Sequence, residues 1–156
     1  SHYEESGIDC IALRFFNVYG ERQDNRMVIP RFFEQAREGK ELTVFGNGLQ
    51  TRDFTYIVDV IDACIALLQV DGFHIINIAN EKEWTIGELA RKIVDITNSS
   101  STISYLDAPK KRYDYEVERR IGSSEKLFTL TGIKPKTELD FGLLQLNTSE
   151  QTAKYG

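Results

Sequence analysis

Arg52 lies in the run V-F-G-N-G-L-Q-T-R-D-F-T-Y-I-V-D, Val44 to Asp59, which brings together the parts of a small anion site. Phe45-Gly46-Asn47-Gly48 has the residue types of a tight turn, because glycine and asparagine tolerate positive φ. Beyond it, Arg52, Phe54, Tyr56 and Val58 alternate with Asp53, Thr55 and Ile57. This period of two predicts a strand carrying a cation beside two aromatic rings on one face. A planar guanidinium forks onto a phosphate or carboxylate, where lysine offers only a point charge. The same spacing also fits an ordinary ion pair with a neighbouring aspartate, which at a surface contributes little. Asp59 reads as the cap of a following helix.

The flanking sequence predicts the elements that would hold such a site. His2 to Gly7 reads as the last turn of a helix closed by Gly7, and the start of that helix is not in the sequence, which suggests a fragment. Ile8 to Phe16, with the apolar run Cys10-Ile11-Ala12-Leu13, predicts a strand buried on both faces of a parallel sheet. Ligands of open α/β sheets gather at the carboxyl ends of strands, which places Asn17 well. Pro30 opens a helix to about Glu38, with Phe32, Phe33 and Ala36 as its apolar stripe and Gly39 as its stop. Leu42 to Phe45 is a short strand, and the helix from Asp59 to about Val70 buries Val60, Ala63, Cys64 and Leu67. Phe73 to Ala79 is a buried strand. Thr85-Ile86-Gly87-Glu88 is a capping box before the stripe Ile86, Leu89, Ala90, Ile93, Val94. Thr102 to Leu106 alternates as a strand, and a charged, irregular segment lies between Pro109 and Arg120. Ser123 or Ser124 caps a helix stopped by Gly132, and a last helix covers Phe141 to Thr148. Strands alternating with helices define an α/β chain.

Composition narrows the function classes. The 156 residues, 41% hydrophobic, suffice for one domain or a large piece of a bigger protein. A net charge of −5 with dispersed lysines and arginines argues against a nucleic-acid partner. Cys10 and Cys64 sit in apolar runs, as expected for buried, reduced thiols. No Cys/His/Asp cluster has ligand spacing, so no metal site is expected. No run reaches the roughly 20 apolar residues of a membrane span, and no signal peptide is visible. A soluble, cytoplasmic protein is the expectation.

Several motifs occur together in order: L-R-F-F-N-V-Y-G (Leu13–Gly20), V-I-P-R-F (Val28–Phe32), L-T-V-F-G-N-G (Leu42–Gly48), Q-T-R-D-F (Gln50–Phe54), V-D-V (Val58–Val60), I-N-I (Ile76–Ile78) and G-I-K-P-K (Gly132–Lys136). In these the chain resembles the extended short-chain dehydrogenase/reductase family of NAD-dependent nucleotide-sugar epimerases and dehydratases, over nearly its whole length. The resemblance implies the C-terminal, substrate-binding part of an extended Rossmann-type fold without its N-terminal dinucleotide-binding part. Residues 1–20 would then belong to the Rossmann sheet and residues 21–156 to the nucleotide-sugar domain. Neither the Gly-rich dinucleotide fingerprint nor the Tyr-x-x-x-Lys pair of such enzymes occurs here, so no catalytic residue is expected in this chain.

Residue by residue, the resemblance makes Arg52 the arginine that holds the nucleotide diphosphate of a UDP- or dTDP-sugar. Asn17 and Asn77 match polar contacts near the diphosphate. Thr43 and Phe45 flank the base, and Met27 and Val28 meet the same ligand. Arg112 is the second phosphate arginine, with Asp114 or Glu116 toward the ribose. Arg14, Tyr19 and Asp53 read as structural, through buried ion pairs or turn bonds. Two positions depart from the pattern: Glu21 stands where proline is usual and Ala79 where glycine is usual. NAD is the implied cofactor of the whole enzyme. A fragment would be inactive alone and would form a homodimer or self-associate through uncovered apolar surface. The alternative is a non-catalytic binding or interaction module that keeps the substrate-domain fold.

Overall fold

The structure, a computed structural model, describes residues 7–107 and 118–155. Along the chain run β1 (Cys10–Phe15), β2 (Val18–Tyr19), α1 (Val28–Arg37), β3 (Leu42–Phe45), β4 (Thr51–Asp53) and β5 (Thr55–Tyr56). They are followed by α2 (Ile57–Leu67), β6 (Phe73–Ile78), β7 (Glu83–Thr85), α3 (Ile86–Ile96), β8 (Ile103–Leu106), β9 (Arg119–Arg120), α4 (Glu125–Thr131) and α5 (Leu139–Tyr155). Parallel pairs form between β1 and β6, β2 and β5, and β3 and β8. A three-stranded sheet in the order β7-β4-β9 has β4 antiparallel to β7 and parallel to β9.

The helices form where the apolar period predicts, and their ends show why. In α1, Ile29, Phe32, Phe33 and Ala36 are buried at helical spacing. It begins at Val28, ahead of Pro30, because a first-turn proline loses no intrahelical bond. In α3 the capping box closes: Thr85 Oγ1 accepts the Glu88 N–H at 3.1 Å and Glu88 Oε2 accepts the Thr85 N–H at 2.9 Å. By contrast, α2 starts at Ile57, capped by extended Tyr56 with no side-chain bond. Asp59 lies inside the first turn, and its Oδ2 accepts the N–H groups of Lys136 and Thr137 at 3.3 and 2.9 Å. The expected cap is therefore a tether for a distant segment. Ser124 precedes α4 without capping it, because its hydroxyl is engaged by Ala79, accepting the N–H at 2.9 Å and donating to the carbonyl at 2.8 Å.

Two apolar clusters hold the layers together. One joins α1, α3 and α5 to β3 around Tyr19, Phe54 and Tyr56. The other packs Val60, Ala63 and Leu67 of α2 and Leu127 of α4 against Ile76 and Ile78 of β6, with Ile11 and Leu13 of β1 alongside. Among the described residues, only this side of the β1–β6 pair is covered. On the other side Cys10, Ala12, Phe73 and Ile75 are exposed, so β1 is not buried on both faces as its apolar run predicts. Cys10 is correspondingly an exposed thiol and Cys64 a half-buried one. A run of apolar residues reports that a strand can be buried twice; which faces are covered depends on other elements.

Candidate functional site

Arg52 occupies the middle strand of β7-β4-β9, with Trp84 and Arg120 as its register partners on either side. Residues opposite each other on neighbouring strands share a face. The aromatic neighbours expected from alternation lie elsewhere. The strand breaks after Asp53, β5 pairs with β2, and Phe54 and Tyr56 are buried around Tyr19 at centroid distances of 6.4 and 5.4 Å. The ring that accompanies Arg52 is Trp84, whose face also carries the Lys92 ammonium at 4.5 Å. The other face of the sheet carries an ion pair. There Glu83 accepts bonds from Arg119 Nε and Nη2 at 2.8 and 2.7 Å and from the Thr51 hydroxyl at 2.7 Å. The Arg119 guanidinium, with the Thr51 hydroxyl second, holds the Glu83 carboxyl below its usual range. The Glu83–Arg119 pair thus lies on one side of the sheet, and Arg120 and Arg52, whose Nη1 donates to the Thr51 carbonyl at 2.7 Å, lie on the other.

Asp53 is fully buried. Its Oδ1 accepts the Asn80 N–H at 3.0 Å, and its Oδ2 accepts those of Glu81 at 3.0 Å and Gly122 at 3.2 Å. Burial pushes its carboxyl above the ordinary aspartate range, and the three N–H groups oppose that shift. The expectation of a structural Asp53 holds through backbone bonds. Tyr19 is buried as well, and burial pushes its phenol well above the usual tyrosine range. Arg14, read as structural through a buried ion pair or a turn bond, is exposed on the open side of the β1–β6 pair.

Asn17 joins the same region. It follows β1 with φ 35°, a left-handed conformation asparagine tolerates, and its Nδ2 donates to the Asp53 carbonyl at 2.9 Å. Asn77 lies on β6 in register with Arg14, three residues before Asn80. Thr43 and Phe45 form a second group with two α1 residues that the sequence did not single out. Gln35 accepts the Thr43 N–H at 3.2 Å, and the Arg31 guanidinium stands 5.5 Å from the Phe45 ring. Their spacing of four on one helix was the available signal. Met27 is the exposed N-cap of α1, and Val28 begins that helix against the core.

The turn between the two groups is set by Gly46 and Gly48, with φ 76° and 73°. Gly48 also accepts the Gly87 N–H at 3.0 Å, and a Cβ there would come within 2.7 Å of the Tyr105 ring. Gln50 Nε2 donates to the Phe45 carbonyl at 2.8 Å, tying the turn to the strand before it. An open cleft of about 750 Å³ borders this turn, lined by Phe45, Asn47, Leu49, Gln50, Tyr105 and Glu118 among others. Arg112, Asp114 and Glu116 lie outside the described residues. Among the described residues no group of His, Cys, Asp and Glu could hold a metal ion, and no helix is long and apolar enough to cross a membrane.

The chain is α/β and matches Rossmann-type structures of the NAD dependent epimerase/dehydratase family. Residues 1–79 match that family, and the chain belongs to it. Among curated relatives, the UDP-N-acetyl-alpha-D-glucosaminuronate decarboxylase of Bacillus cytotoxicus is 37% identical over 149 residues, covering 90% of this chain and 46% of the relative. UDP-glucuronic acid decarboxylase 1 of Xenopus tropicalis is 30% identical, covering 92% and 34%. Among solved structures, the UDP-glucose 4-epimerase of Thermotoga maritima with UDP-glucose superposes with a TM-score of 0.87 at 29% identity, covering 97% of this chain and 49% of that one. The UDP-glucuronic acid 4-epimerase of Bacillus cereus, in complex with UDP-glucuronic acid and NAD, gives 0.83 at 32% identity, covering 97% and 48%. The chain therefore spans about half or less of the length of these relatives.

Proposed function

We propose that this chain supplies the nucleotide-sugar-binding part of an NAD-dependent epimerase, dehydratase or decarboxylase. Arg52 holds the diphosphate of a UDP- or dTDP-sugar. The observation that carries this reading is the position of Arg52 between Trp84 and Arg120, one residue from the backbone group that anchors Asn17. A charge-assisted bond from such an arginine contributes roughly 1.5–3 kcal/mol. Thr43 and Phe45, stiffened by Gln35 and Arg31, offer the base an ordered edge at the other end of the Gly46–Gly48 turn. Met27, Val28 and Asn77 complete the ligand's surroundings in this reading. We assign residues 1–20 to the dinucleotide-binding sheet of the whole enzyme, with β6 as the strand that β1 pairs with, and most of residues 21–156 to the sugar-nucleotide part.

NAD accompanies several structural neighbours, but the residues of this chain do not fit it. The turns after β1 and β6 pass through Asn17 and Asn80, not through a Gly-rich loop onto a helix N-terminus that would cradle a pyrophosphate. No Tyr-x-x-x-Lys pair is present. We accordingly assign hydride and proton transfer to none of these residues, and the chain by itself should turn over no nucleotide sugar.

Calorimetry with UDP tests the reading. Saturable binding that Arg52→Ala weakens about tenfold or more, near 1.4 kcal/mol, is expected. Unchanged binding in that variant would remove Arg52 from the site. No binding by the unsubstituted chain would favour the non-catalytic interaction module.

A further inference from the structure

Three segments far apart in sequence meet at Asp53. Its carboxylate receives the N–H groups of Asn80 and Glu81, at the turn after β6, and of Gly122, just beyond β9. Its carbonyl receives the side chain of Asn17 from the end of β1. Each of these segments leads to a residue placed at or beside the candidate site: Asn17 itself, Asn77 three residues before Asn80, and Arg120 two residues before Gly122. Asp53 also follows Arg52 directly on β4.

The two-residue strand β9 pairs with β4 alone among the described strands. The Thr51 N–H to the Glu118 carbonyl at 2.8 Å, the Arg119–Glu83 ion pair and, at its far end, Asp53 add to that pairing. Glu81 adopts φ 65°, a conformation costly for a residue with a side chain, so its turn needs fixed partners. It has two. Its N–H is held by Asp53, and its carboxylate accepts the Ser124 N–H at 2.6 Å and pairs with Lys134 at 3.2 Å. A carboxylate is the only side chain of this length that can accept on both oxygens at once.

We propose that Asp53 is the positioning residue for anion recognition by Arg52. Its carboxylate locks the β6 turn and the end of β9 onto β4, so that Arg52 and Arg120 present one rigid face to a nucleoside diphosphate. This rests on the nucleotide-binding reading of Arg52. Asp53 touches no ligand and acts through its neighbour. An asparagine at this position offers one acceptor oxygen and turns its amide N–H toward either the Asn80 or the Glu81 and Gly122 donors, so one side of the clamp becomes repulsive.

The test is a double-mutant cycle on the full 156-residue chain, with UDP and with uridine, which lacks the diphosphate, as calorimetric probes. Asp53→Asn is expected to weaken UDP binding about tenfold while uridine binding changes less than about twofold. In an Arg52→Ala background, the same substitution should add less than about twofold, because the residue it positions is gone. Equal losses for UDP and uridine, or a full loss persisting without Arg52, would overturn the assignment and leave Asp53 a general structural residue. UDP bound normally by Asp53→Asn would also overturn it, with the nucleotide reading intact. No UDP binding by the unsubstituted chain would overturn both. Should Asp53→Asn fail to fold, amide exchange of the unsubstituted chain decides. UDP should slow the Asn80, Glu81 and Gly122 amides together, and unchanged rates refute the coupling.

Discussion

Gly122 and Gly132 lie ten residues apart, and alanine should be unwelcome at each for a different reason. Gly122 has no left-handed backbone, but a Cβ there would come within 2.4 Å of Ala79 Cβ and 2.9 Å of the Phe16 ring. Ala79 Cβ is fixed to the backbone and cannot swing aside, so the end of β9 must move. Overpacking of this kind costs about 1–3 kcal/mol. At this chain length that corresponds to a melting temperature lowered by roughly 2–12 °C. Gly132 has open space around its Cβ position but sits at φ 75° as the C-cap of α4. Alanine there costs about 1–2 kcal/mol through the backbone alone. Urea unfolding should show both variants destabilised with an unchanged m-value. Only Gly122→Ala should also weaken UDP binding, because it displaces the N–H that Asp53 holds and the strand carrying Arg120. Gly122→Ala with the stability and UDP affinity of the unsubstituted chain would refute the packing argument. Equal binding losses in both variants would refute the link from Gly122 to the site.

The Tyr19 hydroxyl is buried, lies against Gly142 and has no hydrogen-bond partner among the described residues. Tyr19→Phe should therefore leave stability unchanged or raise it by up to about 1 kcal/mol, and a loss above about 1 kcal/mol in urea unfolding would reveal a bond to that hydroxyl. The open side of the β1–β6 pair, together with Val58, Ile61, Ile65 and Leu68 exposed at helical spacing along α2, leaves apolar surface uncovered. The chain should therefore self-associate, as a homodimer or larger species; light scattering that shows a monomer across concentrations would count against it.

Much of the fold was legible because it depends on near neighbours in sequence. The stripe of α1, the Thr85–Glu88 box, the glycine stops Gly39 and Gly132 and the Gly46–Gly48 turn are local devices, and each appears where residue type and period put it; the helix turn expected before Gly7 lies outside the described residues. Arg52 was legible as a cation on a strand. Its surroundings were not. Alternation pointed to Phe54 and Tyr56, whereas a strand break at Phe54 sends both rings into the core with Tyr19. The two-residue strand β9 has too short a pattern to be read at all, so Arg120 came to Arg52 unannounced. Likewise Asp59 carries a cap's residue type, yet its acceptor oxygen meets Lys136 and Thr137.

By itself the sequence determined an α/β chain of the epimerase/dehydratase family, with its helices, its tight turn and an arginine on a strand. Tertiary structure alone decided that Asp53 would gather the backbone of Asn80, Glu81 and Gly122, and that Trp84 and Arg120 would flank Arg52. The physical reason is range. Turn, cap and period energies are settled within a few residues, whereas a buried carboxylate can take its partners from any segment whose N–H groups the packed chain delivers within 3.2 Å.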